Sequence, residues 1–265
     1  MHVLLAGGAG GIGRCLARQL VPDHEVTALD RDESGLSDLP AGITTHQADL
    51  TDEQAVRQLL DGVEVDVFVS AVGWYELAAI EDCPPDALRA HLEANLLAVH
   101  TPIHAILPTL RRRGGRIVVI GSMVGSVPLP YHGAYSAAKA GLAGYLDSLR
   151  REVEPRGVSV SLVEPGPVRT GFNERAAAAL ARIEDSTYAE QYRAFESYSP
   201  IATDPETVVE TVLAAVHADS PRARYRVSAR ARWLPRLATL LPTPLFDRLI
   251  RSGLPGGLLH RLIER

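Results

Sequence analysis

Strand-like runs recur along the chain at His2–Ala6, Glu25–Leu29, Ile43–Asp49, Val65–Ala71, Gly115–Ile120, Val158–Val163 and Ala223–Val227. Most are apolar without strict alternation, as expected of strands covered on both faces. Segments with helical spacing separate them: Arg14–Leu20, a helix opening near Thr51, a long one over Pro84–Leu110, and another over Gly133–Val153. A last one runs from Asp204-Pro205 to His217, with Asp as N-cap and Pro in the first turn. Strands alternating with helices predict an α/β fold with a parallel, doubly wound sheet and ligands at the carboxyl ends of the strands. Phe172–Tyr198 has no clean boundary signal.

The pattern changes after residue 228. Arg230–Arg265 mixes arginine with Trp233, Phe246, Ile250 and many leucines, and prolines at 235, 242 and 244 cut it into short helical pieces. We therefore divide the chain into a body, 1–228, and an amphipathic helical extension, 229–265. So many apolar residues left in water would form a large exposed patch. Three placements are open: packing on the body, meeting a second subunit, or peripheral contact with an anionic membrane.

Composition narrows the picture. The chain has 265 residues, 46% of them apolar, enough for one large domain and too apolar for disorder. No apolar run is long enough to cross a membrane, and the start lacks the basic n-region of a signal peptide. Cys15 and Cys83 have no metal or redox spacing, so a cytoplasmic location is expected. The net charge of −5 is uneven: from Pro221 onward ten arginines face only Asp247 and Glu264, a balance of +8, which puts −13 on the rest. No nucleic-acid partner is expected.

Two stretches carry chemistry. Between the first strand and its helix lies Gly7-Gly-Ala-Gly-Gly-Ile-Gly13. Such a turn lets backbone approach a pyrophosphate at a helix N-terminus. It fits two spacings, Gly7/Gly11/Gly13 and Gly7/Gly10/Gly13. Asp30 closes the second strand, where an acid can accept from both ribose hydroxyls and repel a 2′-phosphate. Asp30 therefore favours NAD(H), while Arg31 keeps NADP(H) open. The second stretch ends in Tyr135-Ser-Ala-Ala-Lys139, and Lys139 is the only lysine of the chain. Residues four apart share a helix face, and a nearby ammonium should lower the pKa of a phenol, which then works as an acid/base. His100 and His104 also share a face, but no third ligand follows and no metal site is expected.

Ser122 precedes Tyr135 by thirteen residues at the end of an apolar run. With the glycine turn, this set resembles the short-chain dehydrogenase/reductase family. The resemblance implies a single Rossmann-type domain and a catalytic set of Asn95, Ser122, Tyr135 and Lys139. Asn95 would hold a water linking the lysine to solvent. Besides Gly7, Gly10, Gly11, Ile12, Gly13, Asp30 and Arg31, the cofactor would meet Asp49 and Leu50 at its adenine. It would also meet Ser70, Ala71 and Val72, and at its nicotinamide end Tyr135, Lys139, Pro165, Gly166 and Val168. The family's usual Asn-Asn-Ala-Gly is Ser70-Ala-Val-Gly73 here, so the contacts expected there are backbone ones. A substrate lid is implied at about 171–200, as is a homodimer or homotetramer.

The implied activity is NAD(P)-dependent interconversion of a secondary alcohol and a ketone by hydride transfer. Leu129-Pro-Tyr-His132 and Gly166-Pro-Val-Arg-Thr170 look most like hydroxysteroid and retinol dehydrogenases, which suggests an apolar substrate near Trp74, Met123 and Tyr131. Two rivals remain at this point. One is an epimerase or dehydratase that retains NAD, which the second glycine spacing allows. The other is a non-catalytic cofactor-sensing protein on the same fold.

Overall fold

Seven strands form one parallel sheet in the order β3-β2-β1-β4-β5-β6-β7. They are β1 His2–Ala6, β2 Glu25–Asp30, β3 Ile43–Gln47, β4 Val67–Ser70, β5 Arg116–Ile120, β6 Ser159–Glu164 and β7 Arg224–Arg226. The structure is a computed structural model that describes residues 1–196, 198 and 201–255. Alternate residues of each strand serve opposite faces, because side chains alternate across a sheet. Leu4, Phe68, Ile117 and Leu162 point into one core, packed by α3 (Glu53–Leu60), α5 (Ala98–Arg113) and α6 (Gly133–Val153). Leu5, Val69, Val118 and Val163 point into the other, packed by α1 (Gly11–Leu20) and α9 (Pro205–His217). With both faces covered, the inner strands are apolar at nearly every position, which explains their missing alternation, whereas the edge strands β3 and β7 are polar and only partly buried.

The chain leaves β1 toward β2 and β3, and then returns to add β4 on the other side of β1. That reversal opens a crevice at the carboxyl ends of β1 and β4, the usual place for a ligand on such a sheet.

Four local differences separate the sequence expectation from the structure. Helix α1 begins at Gly11, inside the glycine turn. The third strand stops at Gln47, so Asp49 lies beyond it: it accepts from the Thr51 backbone N–H (2.9 Å) and hydroxyl (2.7 Å), while Asp52 caps α3 through the Ala55 N–H. The long helix over Pro84–Leu110 is three pieces: α4 (Pro85–Leu92), a π turn at Glu93–Leu97, and α5. Asp204 precedes α9 without a side-chain cap, because its carboxylate is engaged by Arg169 at 2.6 Å.

Two short helices, α7 (Phe172–Ala178) and α8 (Ala189–Glu196), pack in an aromatic cluster beside the crevice, and α7 lines it through Phe172, Asn173 and Arg175. The extension forms α10 (Ala229–Leu240) and α11 (Thr243–Gly253). Pro235 does not cut it; α10 continues through that position. Ala231 is buried against the aromatic cluster under α7 and α8, with Leu234 and Leu254 beside it, whereas Trp233, Leu240 and Leu245 are exposed. The part of the extension from 256 on lies outside the described residues, as do 197, 199 and 200 of the lid segment. Among the described residues no helix is long and apolar enough to cross a membrane.

Candidate active site

The glycine turn is shaped by steric exclusion. A methyl on Gly13 would lie 2.0 Å from the Gly7 carbonyl oxygen, and one on Gly7 would lie 2.8 Å from the Ala71 backbone. Gly7 also has φ +82, which disfavours any side chain. A methyl on Gly11 would strike Thr170 at 2.7 Å. At Gly10 the nearest atom would be 3.5 Å away, an ordinary contact. The geometry therefore requires Gly7, Gly11 and Gly13 and leaves Gly10 free, which selects the first of the two spacings. Gly10 is the N-cap of α1 without a side-chain bond, and no acid occupies the first turn, so that helix end keeps its positive potential.

Asp30 is fixed against this turn. Its carboxylate accepts from the Ala9 N–H at 2.9 Å and the Asp32 N–H at 3.1 Å. Arg31 is exposed next to it, and Leu50 is buried. Hydrogen bonds from Thr51 hold the Asp49 carboxyl below its usual pKa. Ser70 is fully buried, its hydroxyl without a partner among the described residues. Ala71 and Val72 line the crevice together with Gly10, Gly11 and Ile12.

On the facing wall, Ser122 ends the turn after β5 and Tyr135 sits in the first turn of α6. Both line the same cavity of about 200 Å³, as do Lys139, Pro165, Gly166 and Val168. The Ser122 hydroxyl lies near enough to the Tyr135 phenol to oppose the rise in its pKa. Tyr135 is only 7% exposed and Lys139 only 3%. Lys139 Nζ is 5.7 Å from the Tyr135 ring centre and donates to the Ile120 carbonyl at 3.5 Å. Helical spacing predicts a phenol with a lowered pKa, and here the order is reversed. Burial pushes Tyr135 up, opposed by the Ser122 hydroxyl, and burial pulls Lys139 down to about 8. With water excluded from both groups, the charged form of each is penalised, although Lys139 still carries its proton below about pH 8. Gly125 permits this arrangement: a methyl there would lie 2.8 Å from the Lys139 carbonyl oxygen, so only glycine lets the turn after Ser122 pack on α6.

Asn95 is fully buried in the π turn, an element common at functional sites. Its amide donates to the Trp74 carbonyl at 2.6 Å and the His91 carbonyl at 2.9 Å, and its oxygen accepts from the Trp74 N–H at 3.3 Å. It thus clamps the loop after β4. Asn95 Oδ1 and Lys139 Nζ flank Gly73, each 3.4 Å from where a methyl would sit.

Of the three residues expected beside an apolar substrate, Met123 lines the cavity and Trp74 and Tyr131 do not. Trp74 turns away to pack on His91, at 4.7 Å between ring centres. Its neighbour Tyr75 lies over Tyr135, centres 4.4 Å apart and planes 23° apart. Tyr75 donates its hydroxyl to Asn173 of α7 at 2.8 Å. Met123 lines the cavity; Tyr131 lies one layer back, among Tyr188, Tyr192 and Phe195. Tyr131 has φ 65, a strained value for an aromatic residue, just before His132 and α6. His132 lines the cavity too, its pKa lowered by burial. Tyr192 fastens α8 to the loop after β4: its hydroxyl donates to Asp82 and accepts from the Ala79 N–H at 2.9 Å.

Sequence reasoning missed the support beneath the site. Glu164, 1% exposed at the end of β6, pairs with Arg224 at 2.9 Å and Arg226 at 3.1 Å, and accepts from the Ser126 hydroxyl at 2.7 Å. It ties β7 to the turn that carries Ser122. No linear spacing connects residues so far apart in the chain. His100 stacks on His104 and meets the Tyr145 hydroxyl at 3.0 Å; among the described residues no group of three potential ligands could hold a metal.

A nicotinamide dinucleotide fits these residues. The crevice has a turn that requires glycine at 7, 11 and 13, a free helix N-terminus, and a buried ammonium held by one long hydrogen bond, 3.5 Å, to the Ile120 carbonyl. Ribose hydroxyls would satisfy that ammonium.

Comparison with known proteins agrees. Residues 1–181 match the family model for short chain dehydrogenase. The 17-beta-hydroxysteroid dehydrogenase type 1 of Homo sapiens is 32% identical over 268 residues, covering 91% of this chain and 81% of its own. Retinol dehydrogenase 8 of Homo sapiens is 30% identical over 263 residues, covering 90% and 85%. A short chain dehydrogenase from Burkholderia cenocepacia J2315, solved in complex with NADP, superposes with a TM-score of 0.78 over 94% of this chain and 96% of its own. At 23% identity that likeness is one of fold.

Proposed function

Because the chain belongs to the short-chain dehydrogenase/reductase family, and so is an NAD(P)-dependent oxidoreductase of alcohols and ketones, we propose that it acts on a large apolar secondary alcohol or ketone with Tyr135 as acid/base. The observation that carries this reading is the meeting of Ser122, Tyr135 and Lys139 in one buried wall opposite the glycine turn. A nicotinamide held by the glycine turn and Lys139 would supply or accept the hydride at the carbinol carbon.

The chain's own groups do the rest. Ser122 donates to the substrate oxygen and holds it beside the phenol. Tyr135, kept protonated by burial, gives its proton to that oxygen in the reductive direction. In the oxidative direction it must first lose that proton, and the Lys139 charge stabilises the resulting phenolate. Asn95 holds the loop after β4 in place, with Gly73 of that loop beside Lys139. Tyr75, Met123 and Phe172 exclude bulk water and offer an apolar face, which suits the substrate class named for the hydroxysteroid and retinol relatives.

Asp30 supports a preference for NAD(H). Its carboxylate is locked toward the glycine turn by two backbone N–H groups, where it meets a ribose and repels a 2′-phosphate. A cytoplasmic homodimer or homotetramer completes the reading, supported by the family likeness and by two free cysteines; size-exclusion chromatography with light scattering tests the assembly.

The test is a panel of ketones and secondary alcohols read by nicotinamide absorbance with each cofactor. Turnover of steroid- or retinoid-sized substrates with NAD(H) favoured by about tenfold or more is expected, and Asp30→Ala should shift preference toward NADP(H). A wild type that prefers NADP(H) would make Arg31 the determinant.

A further inference from the structure

The +8 balance of the last 45 positions has no part in the reaction, and much of it gathers at one place. Five arginines, Arg222, Arg224, Arg226, Arg232 and Arg236, line an open basin of about 600 Å³ formed by β7, α9 and α10. It lies at the opposite sheet edge from β2 and Asp30, so it is separate from the adenosine end of the cofactor crevice. Arg224 and Arg226 are neutralised by Glu164 and Asp147. Arg222, Arg232 and Arg236 have no carboxylate partner among the described residues, which leaves three positive charges unmatched. All three are held in place by other means: Arg222 over the Tyr225 ring at 5.4 Å, Arg236 over the Trp233 ring at 5.0 Å, and Arg232 through its Nε on the Arg226 carbonyl at 3.2 Å. Guanidinium groups fixed in this way suit phosphate oxygens, which they bind in a fork.

A second observation says how that phosphate is presented. Trp233, Arg236 and Leu240 share one face of α10. Trp233 is 59% exposed and Leu240 77%, and Leu245 at the start of α11 is 51% exposed. Arginines beside exposed tryptophan and leucine form the pattern of a segment that lies in a membrane interface, with apolar side chains inserted and charges at the headgroups. A second copy of the chain is a poor occupant, because a two-fold contact would set arginine against arginine. We propose that this face docks on an anionic lipid surface, with the arginine basin taking the lipid phosphates. The site does not depend on the reading of the active site.

The experiment is co-sedimentation of the full chain with vesicles of phosphatidylcholine alone or with added phosphatidylglycerol, alongside thermal stabilisation by inorganic pyrophosphate. Binding to the anionic vesicles only, abolished near about 1 M salt, is expected. Arg232→Glu with Arg236→Glu should weaken it by about thirtyfold or more, and Trp233→Ala should weaken it with all charges kept. Circular dichroism and nicotinamide turnover should be unchanged in every variant. Equal binding to neutral vesicles, or anionic binding indifferent to the double substitution, overturns the proposal. Stabilisation by pyrophosphate without vesicle binding overturns the lipid assignment in favour of a soluble phosphate compound. A changed oligomeric state in the variants, without vesicle binding in the wild type, assigns the face to a second copy.

Discussion

On the cofactor side of the crevice the wall is backbone: Gly7, Gly11 and Gly13 leave no room for a methyl group. On the substrate side the wall is side chain: Tyr75 stacks on Tyr135, and Tyr131, Tyr192 and Phe195 fill the layer behind. The first wall can be made in essentially one way, because a backbone cannot change its contacts without moving a strand. The second can be rebuilt by exchanging one aromatic residue for another, or by shifting a short helix held at a few points. A fold built from these two halves keeps its cofactor and changes its substrate.

The contrast breaks first at the glycines. Gly13→Ala should cost at least about 3 kcal/mol in denaturant unfolding and abolish NAD binding, since the Gly7 carbonyl cannot yield the space. Gly10→Ala should change stability by less than about 1 kcal/mol. Equal losses at the two positions would mean that the turn is not limited by sterics.

Lys139 stands where the two walls meet. Its pKa in the folded, cofactor-free protein is pulled down to about 8 from 10.5, so the unfolded chain holds its proton more tightly. Stability should therefore rise with pH between those two values. Lys139→Met should raise cofactor-free stability by roughly 2–3 kcal/mol near neutral pH, and the gain should fade as pH climbs from about 8 toward 10.5. Melting curves across that window check the sign. A smaller effect belongs to the substrate wall. Tyr192→Phe leaves the Ala79 N–H unpaired and frees α8 from Asp82, at a cost of about 1–2 kcal/mol. It should raise KM for the alcohol or ketone and leave NAD affinity unchanged.

The sheet was legible because its inner strands, covered on both faces, are apolar at nearly every step, and the turn and Tyr-x-x-x-Lys were legible because each rests on local spacing. What spacing does not carry was lost. Which of Trp74 and Tyr75 faces the cleft depends on a loop path fixed by Asn95, 20 residues or more downstream. Of three neighbouring acids, Asp49, Asp52 and Glu53, the cap is Asp52, a choice made by where β3 stops. Helix α10 passes through Pro235 because docking of Ala231 and Leu234 outweighs one missing hydrogen bond. The direction of the Tyr135 pKa was misread because i,i+4 spacing gives proximity to Lys139 but not the exclusion of water from both.

The most direct test separates the two walls in one variant. Tyr135→Phe removes a hydroxyl from the substrate side and nothing from the glycine turn. NAD affinity and single-turnover rate should be measured on the same preparation, with a substrate found in the panel. The rate should fall by about a hundredfold or more while NAD affinity stays within about threefold. A rate loss below about tenfold, or a parallel collapse of NAD binding, would contradict the assignment of Tyr135 as the acid/base.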